Sequence, residues 1–222
     1  MKNWINLAIV DDDVLYRSVL SLYLLKEIKN IKIIIEASNG FEFIHSLKKD
    51  KIPEIVILDL EMPKMDGIKT TEYISENYPN CKILILTGHN NIELFNYLIQ
   101  KGANSFISKS IGFPRIIEAV HSVQKTGYYF ADIDLKKIVA ANTSKHNYPS
   151  SFLNDIFSKR EIEVISLICQ QYTNKEISEK LFISSRTVDG HRTKFMEKAN
   201  VRNTAGVVMF AIKHGIITPN DY

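Results

Sequence analysis

The chain has 222 residues, enough for one large domain or two ordinary ones, and its 45% hydrophobic and 24% charged content excludes a disordered or fibrous protein. Net charge is only +3, and no apolar run approaches the ~18 residues of a membrane span, while the short apolar stretch before Asp11 is too brief for a secretory signal. The two cysteines, Cys81 and Cys169, form neither a metal spacing nor a disulfide framework, so a reducing, cytoplasmic setting is expected.

Ile5 to Val10 is an apolar run and predicts a strand. Val14 to Glu27 places Val14, Leu15, Val19, Leu22 and Leu25 near helical spacing. Ile31 to Ala37 is β-branched and is broken by Asn39-Gly40, and Phe41 to Leu47 predicts a short helix. Glu54 to Gly67 reads EIVILDLEMPKMDG. Its apolar residues Ile55 to Leu58 run into Asp59, as a buried parallel strand delivering one carboxylate to a sheet edge. A helix follows from Ile68 to Asn77, a strand from Lys82 to Thr87 and a helix from Ile92 to Lys101. A short strand, Ser105 to Ser108, and a helix from Pro114 to Lys125 complete the alternation. Five strands alternating with five helices predict an α/β fold, a doubly wound five-stranded parallel sheet, over residues 1–127.

The register breaks after Gly127. Residues 128–153 read as a linker with one short helix around Leu135 to Ala141, its aromatic start docked on the first domain. Residues 154–222 predict a smaller, all-α, four-helix domain. Ser158-x-x-Glu161 and Thr173-x-x-Glu176 are capping boxes opening two helices. A third helix spans Arg186 to Ala199, and Asn203 caps a fourth that reaches His214. Charge differs between the halves. Residues 1–127 hold 15 basic and 15 acidic side chains, whereas residues 150–222 hold 10 and 8. Between Arg186 and Arg202 five basic residues face two acids, a modest nucleic-acid signal.

Strand ends carry the chemistry of the first domain. The first ends in Asp11, Asp12 and Asp13, the third in Asp59, the fourth in Thr87, and the fifth just before Lys109. In a parallel sheet these ends share one rim. Clustered carboxylates there suit Mg²⁺, and a metal-held carboxylate beside a lysine can accept a phosphoryl group. Asp13 reads as an N-cap of the next helix.

This ordered set, with Met62-Pro63-x-x-Asp66-Gly67 and Phe106-Ile-Ser-Lys109, resembles the receiver domain of response regulators, a flavodoxin-like fold. The resemblance implies that Asp59 is the phosphoacceptor, assisted by Thr87 and Lys109. It also implies that Asp12, Asp59 and the Glu61 backbone carbonyl ligate Mg²⁺, that Asp11 acts through water, and that Thr87 and Phe106 form a switch. Ser110 stands where the family often has proline. A haloacid-dehalogenase-like phosphatase is the alternative, with Asp11 and Asp13 as its opening acids and Asp132 and Asp134 as its later pair. It leaves Asp59 without a role.

Two short helices and a tight turn, the second helix basic on one side, are the parts of a helix-turn-helix. On a helical wheel Val188, His191, Phe195 and Ala199 turn inward, and Arg186, Gly190, Thr193, Lys194 and Glu197 turn outward. Ser158-x-Arg160-Glu161, Thr173-Asn-Lys-Glu-Ile177, Leu181-x-Ile183-Ser184 and Thr187-Val188-x-x-His191 resemble the LuxR-type DNA-binding domain of NarL/FixJ regulators. The resemblance implies double-stranded DNA as partner. Thr187 to Lys198 would form the recognition helix, with Asp189, Gly190 and Thr193 toward bases and Arg192, Lys194 and Lys198 toward phosphates. Asp189 replaces the basic residue of some members and serves either cytosine N4 or a cap. Gly190 serves close approach to DNA or is a tolerated defect. A four-helix interaction module without DNA is the bland reading. The last helix is apolar on two faces, which implies a dimer partner or an extended core. The expected protein is thus a transcription factor rather than an enzyme, phosphorylated by a sensor histidine kinase and homodimeric when phosphorylated.

Overall fold

A computed structural model describes residues 4–48, 51–88, 92–130 and 156–217. The chain divides into two compact units, residues 1–129 and 130–222. The first unit alternates β1 (Ile5–Val10), α1 (Val14–Glu27), β2 (Ile31–Ala37), α2 (Gly40–Ser46), β3 (Ile55–Leu58) and α3 (Gly67–Asn77). It continues with β4 (Lys82–Thr87), α4 (Ile92–Lys101), β5 (Ser105–Ser108) and α5 (Phe113–Thr126). The five strands pair in parallel, in the order β2-β1-β3-β4-β5. The order reverses direction at β1 and β3, which puts the topological switch point at their carboxyl ends.

Strand parity divides the core. Ile5, Leu7, Ile9, Ile55, Ile57, Leu84, Leu86 and Ile107 meet Leu20 and Leu24 of α1 and Ile116, Val120 and Val123 of α5 in one buried cluster. The opposite parity, including Val56, Leu58, Ile85 and Phe106, is also buried, as are Phe43, Ile74, Phe95 and Leu98 of α2, α3 and α4.

Helix α1 departs from its sequence pattern. Val14, Leu15, Val19, Leu22 and Leu25 all stay exposed, Leu15 at 74% and Leu22 at 70%. The face that packs on the sheet is Leu20, Ser21 and Leu24. Both sides of the helix are apolar, so periodicity alone could not choose the inner one.

Loop chemistry fixes the helix starts. Asp13, Asn39 and Asp66 cap α1, α2 and α3, accepting from the backbone N–H of Tyr16, Glu42 and Lys69. Gly67 is required where it stands, because a Cβ would lie 2.2 Å from the Asp59 carbonyl oxygen and 2.8 Å from Leu60 Cα. The Met62–Gly67 loop therefore folds back against the residue it follows, and Gly67 N–H donates to Leu60 O at 3.0 Å. At the other end of the unit Tyr128 is buried. Ser105 Oγ donates to Tyr129 O at 2.8 Å, so the aromatic start of the predicted linker is docked on this unit. Leu135 to Ala141 lie outside the described residues, as do Asp132 and Asp134.

The second unit holds α6 (Lys159–Cys169), α7 (Asn174–Leu181), α8 (Ser185–Ala199) and α9 (Thr204–Lys213). Both capping boxes form, with Ser158 and Glu161 bonded reciprocally and Thr173 and Glu176 likewise. Phe157 stacks on Phe195 with ring centroids 4.4 Å apart, and Phe210 meets both edge-on. On α9, Ala205, Val207, Val208, Met209, Ala211 and Ile212 are all buried, so both apolar faces already lie in a core. Among the described residues no helix is long and apolar enough to cross a membrane.

Candidate functional site: an acid-lysine pocket and a basic helix

Strand register assembles the pocket. Val10 pairs with Leu58 across β1 and β3, so the next residues, Asp11 and Asp59, stand side by side. Leu58 pairs with Ile85, and Thr87 follows two residues later on the same face. Thr87 pairs with Ser108, which places Lys109 beside the acids. Asp11 and Asp59 are buried, and Asp12 is exposed. Oxygens of these three carboxylates lie within 4.8 Å of one another. An oxygen-only set of this kind fits a hard divalent cation.

Lys109 Nζ lies 2.7 Å from Asp11 Oδ2 and 3.0 Å from Asp59 Oδ2. Burial pushes the Asp59 carboxyl up from its ordinary value; Lys109 opposes that shift and Asp11 adds to it. Burial also works against the Lys109 ammonium, but its hydrogen bonds to Asp11 and Asp59 outweigh this and raise it. The two acids thus hold the lysine in its charged form, while Lys109 only partly offsets the effect of burial on Asp59. Thr87 is buried. Phe106 is buried too, meeting Phe95 edge-on at 5.4 Å. A cavity of about 540 Å³, lined in part by Glu61, Met62, Asp66 and Thr87, opens beside the pocket. The peptide bond after Lys109 is trans, and Ser108 to Ile111 form a short 3₁₀ turn in which Ser110 N–H donates to Ser108 Oγ.

Two pocket residues escaped the sequence reading. Tyr16 lies with its ring centroid 4.9 Å from Lys109 Nζ. Burial pushes its hydroxyl up to about 12, with Lys109 opposing and the two acids adding. Arg17 Nη1 donates to the Asp11 carbonyl, and its Nε lies 3.8 Å from Glu36. The usable signal was the Asp13 cap. Side chains in a first helical turn lean toward the helix N-terminus, here toward the acid rim.

In the second unit, Val188 and Phe195 are buried, and His191 and Ala199 are half-buried. Arg186, Thr187, Asp189, Gly190, Thr193 and Lys194 are exposed along α8. Two residues expected on phosphates have partners inside the unit. Arg192 donates to Asn174 Oδ1 at 3.0 Å and to Thr204 Oγ1 at 2.7 Å. Lys198 Nζ lies 3.0 and 2.7 Å from the two Glu161 oxygens. Asp189 accepts from Asn174 Nδ2, so Asn174 of α7 joins two recognition-helix side chains. The wheel separated inward from outward but could not show which cations have acidic or polar partners on other helices.

The sequence matches the response regulator receiver domain over residues 7–121 and the luxR family of bacterial regulatory proteins over residues 155–211. The chain belongs to the luxR-type response regulators. It is 32% identical over 216 residues to the oxygen regulatory protein NreC of Staphylococcus haemolyticus, covering 95% of this chain and 98% of that protein. The Staphylococcus epidermidis NreC is 33% identical over 217 residues, with the same coverage. Among solved structures, RcsB of Salmonella typhimurium superposes with a TM-score of 0.53 at 23% identity over 93% of this chain and 97% of that one. A structure of two RcsB dimers bound to two parallel DNAs gives 0.58 at 22% over 95% and 99%. At these identities the likeness speaks for the fold. As a response regulator the chain couples a receiver domain to a DNA-binding domain for transcription control, and the phosphatase reading is set aside.

Proposed function

We propose that Asp59 accepts a phosphoryl group from the phosphohistidine of a sensor kinase and that the acyl phosphate controls binding of α8 to double-stranded DNA. The single observation that carries this is Lys109 bridging Asp11 and Asp59 at the switch point of the sheet. In the transfer a carboxylate oxygen of Asp59 bonds to phosphorus, the nitrogen–phosphorus bond breaks, and the imidazole keeps the electron pair. Lys109 offsets charge on the phosphoryl oxygens, and Thr87 donates a hydrogen bond to one of them. Asp11, Asp12, Asp59 and the Glu61 carbonyl would hold Mg²⁺, which when bound would supply further positive charge to offset that of the phosphoryl oxygens. Thr87 and Phe106 pass the change in charge at Asp59 to the α4, β5 and α5 face, and the phosphorylated protein acts as a homodimer on two half-sites.

On α8, Arg186, Thr187, Gly190, Thr193 and Lys194 face the DNA, with Lys194 on a phosphate. Arg192, Lys198 and Asp189 act by holding the helix rather than by contacting DNA. Acetyl phosphate with Mg²⁺ labels the wild type and not Asp59→Asn. Labelling that survives Asp59→Asn but is lost in Asp11→Asn overturns the acceptor assignment. Duplex binding that weakens steeply with salt and is lost in Lys194→Glu supports the reader, and no binding at any salt concentration sinks it.

A further inference from the structure

Lys109 has three N–H donors and a flexible four-carbon stem. Two of its neighbours are the carboxylates of Asp11 and Asp59; the Tyr16 ring, its centroid at 4.9 Å, is another. An aromatic face attracts an ammonium through its quadrupole, most strongly where water is excluded. The ring is itself held in place. Tyr16 N–H donates to Asp13 Oδ1 at 3.0 Å, and the ring meets Phe113 edge-on at 5.6 Å. Phe113 also packs on Tyr23 at 5.3 Å. The Tyr16 hydroxyl is buried and makes no hydrogen bond to the described residues. Its ring contacts, not its oxygen, therefore place it.

We propose that Tyr16 is a positioning residue for phosphoryl transfer, its ring holding the Lys109 ammonium between Asp11 and Asp59. The proposal rests on the assignment of Asp59 as acceptor. With acetyl phosphate as donor, an Asp59 oxygen bonds to phosphorus, the donor's oxygen–phosphorus bond breaks, and acetate leaves with the electron pair. A lysine held in place beforehand meets the developing charge on the phosphoryl oxygens without first being reoriented. Without the ring the long side chain gains rotamers and must be ordered during the step.

The test compares the full-length wild type with Tyr16→Phe and Tyr16→Leu, by the rate of labelling with acetyl phosphate and Mg²⁺ and by the proton shifts of the Lys109 ε-methylene. A proton near an aromatic face is shifted by the ring current, which a purely structural role would not reproduce. The expected result is a fall of about three- to tenfold in Tyr16→Leu, with the Lys109 shift lost. Tyr16→Phe keeps both the rate and the shift. Equal rates in wild type and Tyr16→Leu overturn the proposal, and so does a Tyr16→Phe protein as slow as Tyr16→Leu. If Tyr16→Leu does not fold, Tyr16→Phe and the wild-type Lys109 shift still decide, because an unshifted Lys109 in the wild type overturns it. A wild type that takes no label overturns the acceptor assignment itself, a separate and recognisable failure.

Discussion

Lys198 closes on Glu161, its ammonium 2.7 and 3.0 Å from the two carboxylate oxygens. Glu161 also accepts from the Ser158 N–H at 2.8 Å as half of a capping box. One carboxylate thus closes the N-terminus of α6 and ties it to the end of α8. Burial works against the charged Glu161, yet the bonds from Lys198 and Ser158 hold its carboxyl below the ordinary range. A depressed carboxyl stabilises the fold above the ordinary carboxylate range, and that contribution is lost as pH falls through the folded value.

Lys198→Ala is expected to destabilise the isolated second unit or the full chain by about 1–2 kcal/mol, because Glu161 stays buried without its cation. Denaturant titration at pH 7 and at pH 3.5 measures this. The difference between variant and wild type should shrink at the lower pH. Lys194→Ala, at an exposed position, should leave stability within about 0.5 kcal/mol of wild type while weakening duplex DNA binding and lowering its salt slope by about one unit.

Asp59→Asn is expected to raise the melting temperature of the receiver unit. Asp59 sits above its ordinary value because burial and Asp11 disfavour its charge more than Lys109 favours it. A raised carboxyl binds its proton more tightly in the fold, so the charged form carries a cost at neutral pH that asparagine removes. Calorimetry of both proteins without phosphoryl donor reads the shift, and a lower melting temperature in the variant would show that the Lys109 pair outweighs the burial cost.

Neighbouring leucines of α1 should behave oppositely. Leu24→Ala removes a fully buried side chain and is expected to cost about 2–5 kcal/mol. Leu22→Ala, 70% exposed, should cost less than about 0.5 kcal/mol. Urea unfolding of the two variants separates them by midpoint.

The two loop-and-helix glycines make a second contrast. Gly67→Ala drives a Cβ into the Asp59 carbonyl and Leu60 backbone, so the loop must move and phosphorylation should fall at least tenfold, consistent with the loss from about 1 Å of misplacement. Gly190→Ala meets nothing within 4 Å and should stabilise the second unit by roughly 0.8–1 kcal/mol through helix propensity. If DNA approaches α8 closely at that position, duplex affinity drops despite the gain in stability. Unchanged affinity would make Gly190 a tolerated defect.

The sequence by itself determined the order and type of the elements, because each is written locally. The apolar runs ending in Asp11 and Asp59, the Asp66-Gly67 turn and the two capping boxes all act within a few residues of chain. It also determined that the acids share a rim, since parallel strands put their carboxyl ends together. What it could not determine is decided by contacts distant in sequence. Periodicity showed that α1 has an apolar face but not that Leu20 and Leu24 are the ones to pack on the sheet. The resemblance directed Lys198 and Arg192 toward phosphates, but only the packing of α6, α7 and α9 against α8 brought Glu161, Asn174 and Thr204 to them. The pocket follows the same rule. Lys109 was legible as a neighbour of Asp59, whereas the Tyr16 ring beside it required α1 to be docked. A cation takes whatever partner tertiary packing brings within a few ångströms, and that distance is not encoded in any one stretch of chain.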